Sequence, residues 1–330
     1  MTGRNRRRRD RSPLPLLLCG LLVIALRFVP GPAAAPLPDL PAADEPAAIP
    51  MPREQSLVWE SAPLEPIPTQ PAAEPTQPVY VTNAEEYRSA GPIYFKNETD
   101  YVIDLPTLLQ RDNPVTLGTQ GVQVLIMHTH GTEAYTPSAA HPYTASGEYR
   151  TTDSDANMLR IGREIADILN QRGISTVHST TLNDYPAYSG SYNRALKDIQ
   201  RYVEQYPTIK LVIDVHRDAI AAGNTYYKTA AQVDGRQTAQ LMFVTGTDAG
   251  GLSHPNWQDN LTLQAQLHDR LNSLYPGIMR PISIRASRFN QHVRTGSMLV
   301  EVGACGNTLE EALAAARIFA DTLADALLAQ

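Results

Sequence analysis

The 330-residue chain contains only two cysteines, Cys19 and Cys305, with two tryptophans and five phenylalanines. A disulfide framework is excluded by that count, so stability has to come from an ordinary core. Cationic residues are scarce as well once the start of the chain is set aside. Without the seven arginines up to Arg27 and the single Asp10, 21 basic residues face 33 acidic ones, a net charge of −12. That balance argues against nucleic acid as a partner, because phosphate binding draws on clustered Lys and Arg. There is no GxSxG elbow and no Walker-type loop. Serine-hydrolase and P-loop chemistry therefore have no anchor in this sequence.

What is present begins with charge. Arg4, Arg6, Arg7, Arg8, Arg9 and Arg11 precede an apolar stretch from about Pro13 to Val29. This reads as a short membrane anchor, residues 1–29, with its basic end in the cytoplasm. A cleaved signal peptide with Ala33-Ala34-Ala35 as its small-residue site fits the same pattern. Under either reading the remainder lies outside the cytoplasm. Residues 30–78 are dominated by Pro, Ala and Glu, a composition that favours extended, solvated chain over packing. Fully stretched at roughly 3.1 Å per residue, this disordered tether would reach about 150 Å. Residues 79–119 look like short strands and turns leading into a main domain, residues 120–330.

In that domain strand and helix signals alternate, which is the pattern of an α/β fold with a largely parallel sheet flanked by helices. VQVLIM (122–127), ISTV (174–177), LVIDV (211–215), QLMFVTG (240–246) and SMLVEVG (297–303) read as strands. Met158, Ile161, Ile165 and Ile168 share one face of a helix that Asp155 is placed to cap and Gly173 to close. Further helices are expected at Tyr192–Gln205, Gln258–Tyr275 and Leu309–Leu328.

Three polar clusters go with three of those strands: HTHGTE after VQVLIM, HRD after LVIDV, and Glu301 inside SMLVEVG. Ligands of open α/β sheets bind at the carboxyl ends of the strands, so the three clusters are candidates for one site. Histidines and carboxylates are the ligand types of a catalytic zinc, which takes three protein ligands and lowers the pKa of water to near 7. A free carboxylate such as Glu301 would then move the proton. Pattern alone leaves a metal site and polar turns both open. His128 and His130 need not both be ligands, and His128 is the better candidate for a residue that orients the site. His141, His178, His254, His268 and His292 read as surface or packing residues. A nucleophilic reading of Cys305 in GACGN competes with a small buried thiol in a tight turn.

Together HTHGTEAY (128–135), YRTTD (149–153) with Asn157, YSGSYNRA (188–195), IDVHRDA (213–219), VTGTD (244–248), HPNW (254–257) with Asn260 and Leu261, RFNQ (288–291) and LVEVGACGNTLEEA (299–312) resemble the stage II sporulation protein P family. The family consists of peptidoglycan hydrolases acting in engulfment during endospore formation. It is similar in turn to zinc-dependent N-acetylmuramoyl-L-alanine amidases, and its members are described as also cleaving cross-linked stem peptides. The resemblance implies Zn2+ held by His130 and His216, with Glu301 as the catalytic carboxylate. It implies Glu133 as third ligand, with Asp153 as the alternative, because related amidases place that carboxylate at the start of the next helix. Arg217 and Asp218, beside His216, would position the ligand, grip the peptide or form a structural ion pair. Ala134 and Ala195 depart from a serine common in the family. Implied partners are peptidoglycan and stage II sporulation proteins D, a lytic transglycosylase, and M.

Overall fold

The computed structural model describes residues 88–90, 93–144, 149–222 and 225–329. The expected anchor and tether lie outside the described residues, as does the start of the lead-in segment. Among the described residues no helix is long and apolar enough to cross a membrane.

In chain order the elements are β1 (Arg88–Ala90), β2 (Ile93–Asn97), α1 (Leu105–Leu109), β3 (Val124–Met127), α2 (Met158–Gln171), β4 (Thr176–His178), α3 (Ser191–Gln205) and β5 (Leu211–Asp218). Two small hairpins follow, β6 (Ala221–Ala222) with β7 (Thr225–Tyr226) and β8 (Ala230–Val233) with β9 (Arg236–Ala239). Then come β10 (Leu241–Gly246), α4 (Trp257–Leu274), β11 (Ile282–Arg285), β12 (Met298–Ala304) and α5 (Leu309–Leu328). Eight strands form one sheet in the order β1-β2-β11-β10-β12-β5-β3-β4.

The sheet is mostly parallel. β12, β5, β3 and β4 run together, as do β2, β11 and β10, and the two blocks meet antiparallel at β10–β12. β3 is buried along its whole length and β5 over all but its last residue, the near-continuous apolar reading of strands covered on both faces. Alternate residues serve different layers. Val124 and Ile126 of β3, with Leu211, Ile213 and Val215 of β5, enter a large core shared with α2, α4 and α5. Leu125, Met127 and Val212 face the other way and meet Ala195 and Ile199 of α3.

One expectation is corrected and one is extended. The cap of α2 is Asn157, whose side chain accepts from Leu159 N at 2.9 Å, because the Asp155 carboxylate is drawn outward by Arg163 at 2.6 Å. The lead-in segment also supplies β1 and β2: β2 pairs in parallel with β11, and Ile93 and Phe95 enter the large core. It is therefore part of the same sheet. Gly173, at φ +82°, closes α2 in the left-handed conformation that glycine adopts without strain.

Candidate metal centre

Register brings the strand-end clusters together. In the parallel pair β5–β12, Glu301 stands opposite His216. In β3–β5, Met127 stands opposite Asp214, so the turn that starts at His128 passes beside Val215 and His216. Val212, Asp214, His216 and Asp218 follow one another on one face of β5, apolar inside the molecule and polar where the strand ends.

His216 is buried. Its Nε2 lies 2.9 Å from Asp214 Oδ1, and its Nδ1 lies 3.7 Å from Glu133 Oε2. Burial opposes a charge on this ring, but Asp214, Glu133 and Glu301 outweigh it and carry the pKa up to about 10. Asp214 is itself held by Thr129, whose N–H and hydroxyl donate to it at 2.8 and 2.6 Å. Burial works against the Asp214 charge, yet His216 and Thr129 keep its pKa below the usual carboxylate value.

His130 is buried in the turn after β3, edge-on to the His216 ring with centroids 5.4 Å apart. Tyr188 stacks on its outer face at 4.6 Å. Burial, partly offset by Glu133, lowers its pKa and keeps it neutral. Its Nδ1 has no hydrogen-bond partner, and Asp184 Oδ2, at 3.9 Å, is already taken by Thr132 and Arg150.

Glu133 is fixed on several sides. Its Oε1 lies 3.3 Å from Arg150 and 3.8 Å from Arg217, and its Oε2 accepts from Arg217 N at 3.4 Å. Its carbonyl accepts from Met158 N at 2.8 Å, which places Glu133 at the first residue of α2. Asp153 is exposed, and its carboxylate accepts from Asp155 N in the turn before α2. Of the two candidate carboxylates, the structure brings Glu133 to the histidines and leaves Asp153 in that turn.

The donor types are those that zinc takes, and one pair of them is spaced for it. Two donors on a tetrahedral ion with bonds of about 2.1 Å stand roughly 3.4 Å apart, close to the His216–Glu133 separation. A carboxylate on the far nitrogen of a ligand histidine, as Asp214 is on His216, is the usual support of such a ligand. The orphaned Nδ1 of His130 is a further unpartnered nitrogen in the adjoining turn. Among the described residues no three of these side chains already converge as a metal-binding group.

Glu301 carries a buried Oε2 without a hydrogen-bond partner. Burial raises its carboxyl, His216 opposes that, Asp218 and Glu133 add to it, and the pKa reaches about 8. With His216, Asp218, Tyr192 and Arg280 it lines a groove of about 600 Å³. Arg217 points away from this groove: its Nε donates to Ala134 O at 3.0 Å, so it fixes the Glu133 loop. Asp218 forms an ion pair with Arg280 at 2.7 Å.

His128 is fully buried and bridges Val215 O, at 2.9 Å from its Nδ1, to His178 Nε2, at 2.9 Å from its own Nε2. It thereby ties β3 to the residue before His216. Cys305 is a buried turn residue whose thiol is raised by burial, which removes it as a nucleophile at neutral pH. The residues that sequence reasoning missed are Asp214, Asp184, Arg150 and His178. Only Asp214 left a local signal, an acid two residues before a histidine in an apolar strand and hence on the same face.

A family model described as stage II sporulation protein P matches residues 67–324. The chain belongs to the stage II sporulation protein P family. It is 28% identical over 234 residues to stage II sporulation protein P of Bacillus subtilis (strain 168), a match covering 66% of this chain and 54% of that protein. The chain thus spans about half the length of the curated relative it matches. Among solved structures it is similar to the N-acetylmuramoyl-L-alanine amidase AmiC2 of Nostoc punctiforme, at 16% identity, 64% of this chain, 97% of that one and a TM-score of 0.37. The catalytic domain of the amidase CwlV from Bacillus (Paenibacillus) polymyxa var. colistinus gives 13%, 63%, 97% and 0.36. At such scores the superpositions are loose.

Proposed function

We propose that this chain is a zinc-dependent peptidoglycan hydrolase that cleaves the amide between the lactyl group of N-acetylmuramic acid and the L-alanine of the stem peptide. The observation that carries the reading is the Glu301–His216 register pair, with an unpartnered carboxyl oxygen at the groove wall and His130 and Glu133 beside it. His130, His216 and Glu133 would hold the ion. Bound zinc would polarise the amide carbonyl and lower the pKa of water to near 7. In its ionised form, which a bound dication would favour over the protonated carboxyl that a pKa of about 8 leaves at neutral pH, Glu301 would accept the proton of the attacking water and pass it to the departing amine, a task worth about 10²–10⁴ in rate. Asp214 stands 2.9 Å from the His216 ring, His128 meets the carbonyl of the preceding Val215, and the Arg150–Arg217 clamp orients Glu133.

The same proposal places the hydrolase outside the cytoplasm on the tether of residues 30–78, anchored in the cell membrane by residues 1–29. There it would work on the wall in engulfment, with stage II sporulation proteins D and M as partners. Cleavage within the stem peptide uses the same groups on a substrate shifted along the groove. The test is metal analysis and chelation of the purified chain. One zinc per chain is expected, with stem-peptide release from purified wall lost on chelation and restored by zinc. Release that continues undiminished after complete zinc removal would overturn the mechanism. Wall binding with no release by the zinc-loaded chain would make the protein a scaffold.

A further inference from the structure

Tyr192 stands in the first turn of α3 and lines the groove together with Glu301 and His216. Its ring and the His130 ring meet edge to face, with centroids 5.6 Å apart. Burial, and after it the carboxylates of Asp214, Glu301 and Glu133, raises its pKa, so all three lie within electrostatic reach of the hydroxyl. That hydroxyl makes no hydrogen bond among the described residues and is open to solvent. A phenol keeps its proton at neutral pH, so it offers the groove an unused O–H donor.

The side chain is held firmly for this. Asn290 Nδ2 donates to the Tyr192 carbonyl at 2.8 Å, and the Phe289 ring lies beside the Tyr192 ring with centroids 5.8 Å apart. Phe289 and Asn290 are consecutive non-glycine residues at φ +47° and +58°, a backbone that a bulky residue such as Phe adopts only where its surroundings enforce it. Gln291 secures the turn by bridging Gly246 N, at 2.9 Å, and Val244 O, at 2.8 Å. The cations of the groove wall, by contrast, are already met by carboxylates: Arg280 by Asp218 at 2.7 Å, Arg285 by Glu98 at 2.5 Å and Lys96 by Glu98 at 3.7 Å.

Attack of water on an amide turns the C=O π bond into a lone pair on oxygen, and a fixed neutral donor aimed at that oxygen stabilises the transition state more than the substrate. Glu301 handles only the proton, which passes from the water to the leaving nitrogen as the C–N bond breaks and the carbonyl re-forms. We infer that Tyr192 is a second catalytic residue, whose hydroxyl donates a hydrogen bond to the oxygen of the scissile carbonyl as that oxygen gains negative charge. This rests on the hydrolase reading, which supplies the amide. The phenol keeps its own proton throughout.

The test compares the full chain, supplied with zinc, with Tyr192→Phe, which keeps the ring beside His130 and removes only the hydroxyl. Turnover is followed on a synthetic N-acetylmuramoyl tripeptide, and calorimetry gives the Kd of the analogue in which a phosphonamidate replaces the scissile amide. In Tyr192→Phe kcat is expected to fall on the order of a hundredfold with KM within about twofold, and the analogue to bind more weakly by a similar factor. Binding of the tripeptide itself, measured in Glu301→Gln with and without Tyr192→Phe, should change by less than about twofold, and zinc content should stay the same. An unchanged kcat, or a rise in KM alone, overturns the proposal and leaves the hydrolase reading standing. A fall in zinc content that accounts for the lost rate also overturns it, since Tyr192 would then act through His130. If the parent leaves the tripeptide intact, the hydrolase reading fails and the analogue decides the donor: an affinity that depends on the Tyr192 hydroxyl sustains it, and one that does not overturns it.

Discussion

At the scale of single residues, the account rests on small distances around His216. Asp214 supports its Nε2 side, so Asp214→Asn should weaken zinc binding about 10–100-fold in competition with a chromogenic chelator. Unchanged affinity would show that the Asp214 contact is structural only. His130 and His216 were legible as candidates because each stands at or near the end of an apolar strand run, and Glu301 because it is the lone charge inside one. Asp184, Arg150 and His178 were not, since they arrive on loops and an edge strand whose paths no periodicity encodes. One glycine does record the His128–His178 pair. A Cβ on Gly162, in the middle of α2, would collide with Nε2 of both His128 and His178. Gly162→Ala should therefore displace the pair and destabilise the chain by about 1–3 kcal/mol in urea unfolding, although alanine is the better helix former.

At the scale of elements, the helix faces and most strands follow from hydrophobic period, while caps and directions do not. Asp155 and Asn157 are both acceptable caps by residue type. Which one wins is decided by Arg163, which holds Asp155 outward. The antiparallel junction of β10 and β12 left no local mark either, because a buried strand reads the same in both directions. The last helix is more explicit. Thr308 and Glu311 form a capping box at the start of α5, and Glu311 also pairs with Lys228 at 2.7 Å. Thr308→Ala should lower the unfolding free energy by about 1 kcal/mol, with zinc affinity unchanged because the polar contacts of this end of α5 go to Ser138, Lys228 and Asn307 and not to the proposed ligands. A loss of zinc binding in that variant would mean that the site depends on α5 in a way the contacts do not show.

At the scale of the whole molecule, buried neutral histidines set the response to acid. His128, His254 and His268 have pKa values lowered to about 4 and His178 to about 3, each chiefly by burial. In the unfolded chain these rings titrate near about 6.5, so below that pH the unfolded state binds more protons and stability falls as pH drops toward the folded values. Glu301, raised to about 8, acts in the opposite sense, since its folded form keeps a proton that the unfolded chain loses above about 4.5. Four histidines against one carboxyl leave a net loss of stability between about pH 6.5 and 4.5, read as a falling urea midpoint. A midpoint that stays flat or rises over that interval would contradict the burial of these rings. The central claim, that three strand ends form one hydrolytic site around Glu301, is tested most directly by mass spectrometry of the fragments that the full chain releases from purified peptidoglycan, with and without Glu301→Gln. The account predicts free stem peptides beginning with L-alanine from the parent and a loss of at least about a hundredfold in the variant; equal release by the two proteins would contradict it.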